Sequence, residues 1–169
     1  MAELTHLSLF SGIGGGIRGG HMQLVITHST DTDMWIQEHH YLHSTPAGAV
    51  IRMEFHENEQ RIGAMMWGRN TSPKQDQKNI LCLTRMCFVD EAPKNTESHA
   101  LAMARKYIRK HYPQIKGLVA YSSTGQGHEG IVYQADGWFE VSRSRASKDF
   151  REGRRNIDVS SKIKWVRSP

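Results

Sequence analysis

The sequence predicts an α+β fold, with a mixed, mostly antiparallel sheet flanked by helices. Two stretches of alternating apolar and polar residues, Ala49–His56 and Arg61–Gly68, are joined by a polar turn and predict a β-hairpin. The most apolar stretch, Ile80–Val89, predicts a central strand. A helical pattern over residues 96–112 and a strand, glycine turn, helix and strand over residues 117–141 complete the order.

Length and charge predict one domain with basic character at one end. The chain has 169 residues, of which 38% are hydrophobic, enough for one core. From Arg143 to Pro169 there are nine Lys or Arg and three Asp or Glu, a charge of +6, whereas the whole chain carries +5. We therefore expect a domain over residues 23–145 and a basic C-terminal extension over residues 146–169. Such a segment favours a polyanion such as nucleic acid, although a solvated tail fits the same composition.

The two cysteines and the hydropathy exclude several classes of protein. Cys82 and Cys87 are five residues apart in a strand, so alternation turns their side chains to opposite faces. This predicts reduced core thiols and neither a disulfide nor a zinc site built on this pair. No apolar run reaches membrane-spanning length, and no signal-peptide core is visible. We expect a soluble protein with no membrane partner that stays inside the cell.

Residues 1–22 differ from the rest of the chain. Leu7–Gly15 resembles the first motif of DNA cytosine-5 methyltransferases, in which glycines let the backbone approach S-adenosylmethionine. The match ends after that stretch, and the Pro-Cys dipeptide of that family is absent. The segment is interpreted as a leader, a tag or a fusion remnant.

A helix is predicted over Asp33–His43, after a stretch rich in Ser, Thr and Asp and before Pro46. Three histidines and a tyrosine fall within five residues at its end. His40 and Tyr41 are candidates for an acid/base or metal site, because these side chains supply N and O ligands and titrate near neutral pH. The alternative is an exposed helix end, where histidine complements the helix dipole.

Arg85 lies within the predicted central strand. A buried arginine is unfavourable unless it is paired or meets an anion, so Arg85 is a candidate anchor for a carboxylate or phosphate. The alternative places it near water at the strand's end. The next helix is predicted over Thr96–Tyr112, with Asn95 or Thr96 as its cap, and Ser98 and the amides of its first turn could face an anion.

The stretch after this helix has the form of a ligand site. A strand over Leu118–Tyr121 leads into a turn with three glycines, then a short helix over His128–Asp136. Gly137 suits the left-handed position after a helix, and Trp138–Val141 is a further strand. Open α/β sheets bind ligands beyond the carboxyl ends of their strands, which is where this turn lies.

This order of elements resembles the GCN5-related N-acetyltransferases. The resemblance implies two splayed central strands whose gap admits coenzyme A. Tyr133 to Trp138 looks like that family's Tyr-x-x-x-Gly-Phe signature, which makes Tyr133 a candidate general acid. The family's glycine-rich pyrophosphate loop is missing, and Asp90–Asn95, with two acids and a proline, stands in its place.

A narrower resemblance is to the phage Mom proteins, an offshoot of the same fold. Those proteins convert adenine in duplex DNA to N6-carbamoylmethyladenine and so shield phage DNA from host restriction enzymes. Where members of that family often have Ser-Tyr-Ala-Asp, this chain has Ala120-Tyr121-Ser122-Ser123. The segments that carry the resemblance are His40-Tyr41, Ala64–Gly68, Leu83–Arg85, Pro93–Ser98 and Tyr121–Trp138.

The resemblance implies double-stranded DNA as partner, a small-molecule donor and action in the host cell cytoplasm. Acetyl-CoA or another acyl or glycine-derived donor, and iron or another metal, are compatible with it, as are a monomer and a homodimer. The implied catalytic residues are His40, Tyr41, Arg85, Ser98, Tyr121 and Tyr133, with His40 and Tyr41 as metal ligands. The implied substrate-binding residues are Trp67, His128, Trp138, Arg143, Arg145, Arg154 and Arg155.

Three hypotheses of different classes follow. The first is a Mom-like enzyme that modifies adenine, with Trp67 or Trp138 stacked on a base and the basic segment on phosphates. The second is a conventional acetyltransferase of a protein or small amine. The third is a DNA-binding module without catalysis. The structural alternatives are that Tyr133 is a packed helix residue, that Trp67 belongs to the core and that His128 caps the short helix.

Overall fold

The computed structural model describes residues 21–70, 72, 74–124, 130–145 and 161–169. Within these ranges the chain forms seven strands and three helices. They are β1 (Gln23–Thr27), α1 (Asp31–His39), β2 (Ala49–Glu57), β3 (Gln60–Gly68), β4 (Ile80–Phe88), α2 (Thr96–His111), β5 (Gly117–Ser123), α3 (Ile131–Ala135), β6 (Phe139–Arg143) and β7 (Lys162–Arg167).

The seven strands form one sheet in the order β1-β2-β3-β4-β5-β7-β6. β4 and β5 pair in parallel, whereas the other neighbours pair antiparallel. This confirms the predicted α+β class with a mixed, mostly antiparallel sheet. β4, predicted to be central, has three strands on either side.

Two strands were not predicted, and one of them lies in the segment expected to be a basic extension. β7 (Lys162–Arg167) is inserted between β5 and β6, and its Ile163 and Trp165 are buried in the core. Lysines flank these two residues, so the net charge of the segment concealed the alternation of a half-buried strand. Residues 162–167 therefore belong to the sheet. The other strand, β1, is only five residues long and pairs with β2 alone among the described strands.

The two faces of the sheet carry separate cores. The larger core joins strand residues to α2 and α3 and includes Leu101, Ile108, Tyr133, Trp138 and Trp165. The smaller core is formed by Ile36 of α1 with Ala64, Met66 and Cys87 of β3 and β4. Both cysteines are free and buried, as the sequence predicted. In the part of the chain that is described, no helix is long and apolar enough to span a membrane.

A bulge in β4 decides which face Arg85 occupies. Met66 pairs with Arg85 and Trp67 pairs with Leu83, so Thr84 is an extra residue on β4. The Thr84 hydroxyl donates a hydrogen bond to the Met66 carbonyl (3.1 Å). Leu83 lies in the larger core with Met86 beyond the bulge, whereas Cys87 belongs to the α1 side. Alternation from Cys87 places Arg85 on the α1 side as well.

β4 and β5 diverge after the bulge. They pair only from Ile80 with Gly117 to Leu83 with Ala120. Beyond these residues β4 pairs with β3, and β5 pairs with β7. The strands thus open a gap toward their carboxyl ends, as expected from the resemblance to the acetyltransferases. We call this gap the mouth.

A buried carboxylate fixes α3 against the rest of the domain. Asp136, at the end of α3, accepts two hydrogen bonds from Arg105 of α2, both of 2.7 Å. It also accepts one from the indole nitrogen of Trp138 (2.8 Å), and Arg167 of β7 lies 3.7 Å away. Because these partners come from α2, β7 and the residue before β6, Asp136 holds Tyr133 and its helix in place.

Candidate functional site at the mouth of the splayed strands

Helix α1 ends at His39, four residues before the predicted end. His40 has an extended backbone (ψ 140°), and its Nδ1 accepts a hydrogen bond from the Leu42 amide (3.1 Å). A continuing helix would need that amide for its own hydrogen-bond ladder, so the imidazole competes with the helix. His43, at φ 47°, has left the helix too, so His39 and His43 do not share a helix face.

His40 is buried and neutral at physiological pH. Burial lowers the pKa of His40 to about 4, and the nearby Arg85 and His43 add to the decrease. Because Nδ1 accepts a hydrogen bond, the ring proton resides on Nε2. In this tautomer His40 presents an N–H donor rather than a basic nitrogen. Its ring stacks on Tyr41, with centroids 4.5 Å apart.

The depressed pKa of His40 predicts a loss of stability in acid. The unfolded chain takes up this proton near pH 6.5, whereas the folded chain takes it up near pH 4. The free energy of unfolding therefore has its full value above pH 6.5. It falls by about 3 kcal/mol as the pH drops from 6.5 to 4. Urea unfolding of the wild type and of His40→Asn at several pH values measures this loss of unfolding free energy. The asparagine side chain keeps an acceptor for the Leu42 amide. Parallel pH profiles for the two proteins would contradict the assignment.

Arg85 is half-buried beside His40 and is held by oxygen atoms without formal charge. Its Nε donates to the Ser44 carbonyl (2.8 Å), Nη1 to the Thr84 carbonyl (2.7 Å) and Nη2 to the Ser44 hydroxyl (3.3 Å). Burial lowers the pKa of Arg85, which the Tyr41 phenol opposes. The ion pairs found among the described residues do not include Arg85. Among the described residues, the Arg85 guanidinium therefore keeps its charge without a carboxylate in direct contact.

Tyr133 reaches the same region from the other face of the sheet. It is buried between Trp138 and Trp165, with ring centroids 5.5 and 6.0 Å away. Burial raises the pKa of Tyr133, and Glu97, Cys82 and Tyr41 raise it further. The Tyr41 phenol acts on the pKa values of both Arg85 and Tyr133, so it lies within electrostatic range of each. The raised pKa keeps Tyr133 protonated, as a proton donor requires.

Ser98 lies in the first turn of α2, and Tyr121 lies on β5. The Ser98 hydroxyl donates to the Asn95 carbonyl (3.0 Å), so it is engaged with the backbone of its own helix. Tyr121 is the first residue of β5 beyond its pairing with β4, and 37% of its surface is exposed. Burial and Cys82 raise the pKa of Tyr121, whereas a hydrogen bond with Gln75 opposes the rise.

The expected stacking of a base on Trp67 or Trp138 does not fit the structure. Trp67 is fully buried in the larger core, and Trp138 is 4% exposed. Trp138 packs against Tyr133 and donates its indole N–H to Asp136. Both rings are large apolar surfaces that the core requires. In this conformation they stabilise the fold and do not offer a face to a nucleobase.

The structure describes only two of the arginines predicted to contact phosphates. Arg143 and Arg145 are exposed, and Arg143 pairs with Glu140 on the same strand (2.5 Å). His128, Arg154, Arg155 and the segment of residues 1–20 lie outside the described residues.

The described residues do not by themselves form a metal centre. Within them, no group of three or more His, Cys, Asp or Glu lies together where it could hold an ion. His40 would have to release the Leu42 amide to offer Nδ1, or lose the Nε2 proton to offer Nε2.

The turn before α2 does not fit a coenzyme A pyrophosphate. That group needs free backbone N–H donors at the helix N-terminus. Here the Ala92 amide bonds to the Val89 carbonyl and the Thr96 amide to the Pro93 carbonyl, both at 3.1 Å. Pro93 has no N–H, and Asp90 and Glu91 would repel the phosphates.

Two residues of the site were not singled out from the sequence. Ser44 supplies two of the three hydrogen bonds that hold Arg85, although it lies 41 positions earlier in the chain. Glu97, in the first turn of α2, acts on the pKa values of Cys87 and Tyr133. Burial raises the pKa of Cys87 to about 12, and Glu97 adds to the rise. The sequence signal for Glu97 was present, because it belongs to the segment Pro93–Ser98, but it suggested only helix capping.

Comparison with known proteins agrees with this architecture. The sequence model of the Mom protein family matches residues 22–167. "Methylcarbamoylase mom" of Escherichia phage Mu is 28% identical over 108 residues. That match covers 59% of this chain and 45% of the phage Mu protein, so it spans less than half of that relative.

Solved structures similar to this chain include several acetyltransferases. The ribosomal-protein-S5-alanine acetyltransferase of Vibrio fischeri has a TM-score of 0.62 at 11% identity, covering 90% of this chain and 95% of that one. The S18-alanine N-acetyltransferase of Escherichia coli has a TM-score of 0.61 at 10% identity, covering 87% and 93%. A GNAT-family acetyltransferase of Streptococcus pneumoniae has a TM-score of 0.54 at 12% identity, covering 70% and 67%. At these identities the likeness shows the fold alone, and it confirms the predicted GNAT architecture.

Proposed function

This chain belongs to the Mom protein family, and we propose that it is a transferase that modifies the N6 amine of adenine in DNA. The product is N6-carbamoylmethyladenine, which protects phage DNA from host restriction enzymes. The phage Mu relative supports this activity by its name, methylcarbamoylase. The GNAT fold supports it too, because the solved neighbours are named as transferases acting on alanine or spermidine nitrogen.

The observation that carries the proposal is the charge at the mouth. Arg85 is half-buried and bonded to neutral oxygens, so it retains N–H donors and a formal charge for a ligand. His40 adds an N–H donor beside it, since its Nδ1 is occupied by the Leu42 amide. Donors placed in advance in a water-poor site stabilise negative charge that develops during a reaction.

The proposed reaction needs that kind of stabilisation. The amine of adenine is a poor nucleophile and lies within the base stack, so the base must be extruded to reach the mouth. The N6 nitrogen forms a bond to the methylene carbon of the carbamoylmethyl donor, whose leaving group departs with the bonding electron pair. Arg85 and His40 stabilise the charge on that leaving group. N6 loses one proton, and Glu97 is the candidate acceptor. Tyr133, which stays protonated, is a candidate proton donor to the leaving group.

Mass spectrometry of nucleosides tests the proposal. DNA from cells expressing the protein is expected to contain a deoxyadenosine in which one carbamoylmethyl group replaces a hydrogen. Unmodified deoxyadenosine in cells that contain the folded protein would overturn the assignment. An acetylated protein or amine with unmodified DNA would instead identify a conventional acetyltransferase. Binding of duplex DNA without any modification would identify the non-catalytic module.

A further inference from the structure

The described residues of the loop between β3 and β4 (69, 70, 72 and 74–79) are held by hydrogen bonds from their own side chains. The Gln77 amide nitrogen donates to the carbonyls of Asn70 (3.0 Å), Ser72 (2.9 Å) and Gln75 (3.2 Å). The Asp76 carboxylate accepts from the backbone amides of Lys78 (2.8 Å) and Asn79 (2.9 Å). A loop held in this way presents its exposed side chains in defined positions with little loss of entropy on binding.

This loop is attached to the mouth. Gln75 hydrogen-bonds with Tyr121, the residue at which β5 leaves β4. On the next strand Lys164 pairs with Tyr121 and Lys162 with Ser123, so both lysines share a face with Tyr121. The ammonium of Lys164 also lies near Cys82: burial raises the pKa of Cys82 to about 11, and Lys164 opposes that rise.

Loop and strand together carry more positive than negative charge. Arg69, Lys74 and Lys78 are exposed on the loop, and Lys162 is exposed and Lys164 half-buried on β7. The single acid among residues 69–79 is Asp76, which is engaged with the loop backbone. We call these five cations the loop–β7 surface. They make it complementary to a polyanion.

A concave region elsewhere on the protein has a different charge. A cavity of about 700 Å³ lies between the β2–β3 turn and the chain after β4. Its wall contains the carboxylates of Glu57 and Glu91, and its Arg61 is already paired with Glu54 at 2.8 Å. Two carboxylates and a neutralised arginine do not favour a phosphate backbone.

We propose that the loop–β7 surface binds the phosphates of duplex DNA and so holds the duplex beside the mouth. This inference rests on the proposed function and names where the DNA partner lies. Contacts of this kind position a duplex without reading its sequence. They also keep the strand close while one base is extruded toward Arg85 and Tyr121. The occupant is duplex DNA because the loop and β7 carry five cations, and the one carboxylate within the loop, that of Asp76, is bonded to the loop backbone.

The test compares two double variants with the same net charge. Lys74→Ala/Lys78→Ala removes two cations from the loop, and Lys106→Ala/Lys110→Ala removes two exposed cations from α2, on the other face of the sheet. Fluorescence anisotropy with a labelled duplex gives Kd over a series of salt concentrations. Each lost phosphate contact is expected to reduce the slope of log Kd against log salt by about 0.9, so the loop variant should lose about 1 to 2 units of slope. The α2 variant should retain the wild-type slope.

The outcomes separate this inference from the proposed function. Equal salt slopes for the wild type and the loop variant, or equal reductions of the slope in both variants, would overturn the proposal that the loop–β7 surface binds DNA. Failure of the wild-type protein to bind duplex DNA would overturn it as well. A wild-type protein that binds duplex DNA through the loop and leaves deoxyadenosine unmodified would refute the proposed enzymatic activity. It would still support DNA binding by the loop–β7 surface. Thermal denaturation of all three proteins ensures that folded samples are compared.

Discussion

Replacing Arg85 with alanine is expected to lower the yield of modified deoxyadenosine about 100- to 1000-fold, the range seen when one oxyanion donor is removed from an enzyme. The guanidinium is held by the Ser44 carbonyl, the Ser44 hydroxyl and the Thr84 carbonyl, none of which carries a formal charge. Its positive charge is thus available to a reacting group. Quantitative mass spectrometry of nucleosides after matched expression measures the loss.

Two further variants make this result specific. Arg85→Lys retains the charge but not the fork of donors, so its yield should fall between those of wild type and Arg85→Ala. Arg109→Ala removes an exposed arginine at the end of α2 and should leave the yield unchanged. A folded Arg85→Ala protein with near wild-type yield would show that this charge has no part in the chemistry. The melting temperature of each variant excludes unfolding as the cause.

Replacing Asp136 with alanine is expected to destabilise the protein by about 3 to 5 kcal/mol, as when one partner of a buried ion pair is removed. The side chain of Asp136 is 4% exposed, and that of Arg105, which donates two hydrogen bonds to it, is 12% exposed. The variant leaves the Arg105 charge and the Trp138 indole N–H without their acceptor. Chemical denaturation at neutral pH measures the difference in unfolding free energy.

The matched control is the exposed pair of Glu140 and Arg143 on β6. Glu140→Ala breaks a carboxylate–guanidinium pair of similar geometry in solvent, where such pairs contribute little to stability. Similar losses for Asp136→Ala and Glu140→Ala would mean that burial does not strengthen the Asp136 cluster. Because Asp136 holds α3, its replacement should also reduce the yield of modified deoxyadenosine by displacing Tyr133.

Local sequence patterns predicted which strands and helices lie near the site better than they predicted where the helices begin and end. The β2–β3 hairpin and the central strand were predicted within one or two residues, since alternation and apolar runs are local signals. The end of α1 was missed because it depends on a side chain: the His40 imidazole takes the Leu42 amide. The start of α3 was predicted at His128, whereas the described helix begins at Ile131 after Gly130, whose φ is 78°.

The site residues also divide into those that local sequence could suggest and those that only the tertiary structure could place. His40, Tyr41, Arg85 and Tyr133 could be proposed from residue type and resemblance. The structure stacks His40 on Tyr41 and places Arg85 in electrostatic range of both, whereas the catalytic roles of the four residues stay predictions. Trp67 and Trp138 have the chemistry of base-stacking residues, but burial decides their role. Ser44 could not be found from the sequence, because its contact with Arg85 joins positions 41 residues apart.

The sequence by itself determined the α+β class, the central place of β4 and the chemistry available near the mouth. These follow from periodicity and residue type, which act over a few neighbouring positions. The tertiary structure decided three further points: that Lys162–Arg167 is a strand of the sheet, that the bulge at Thr84 turns Arg85 toward α1, and that β4 and β5 separate beyond Leu83 and Ala120. Each depends on register between strands that are distant in the chain, and a shift of one residue in register moves a side chain to the other face.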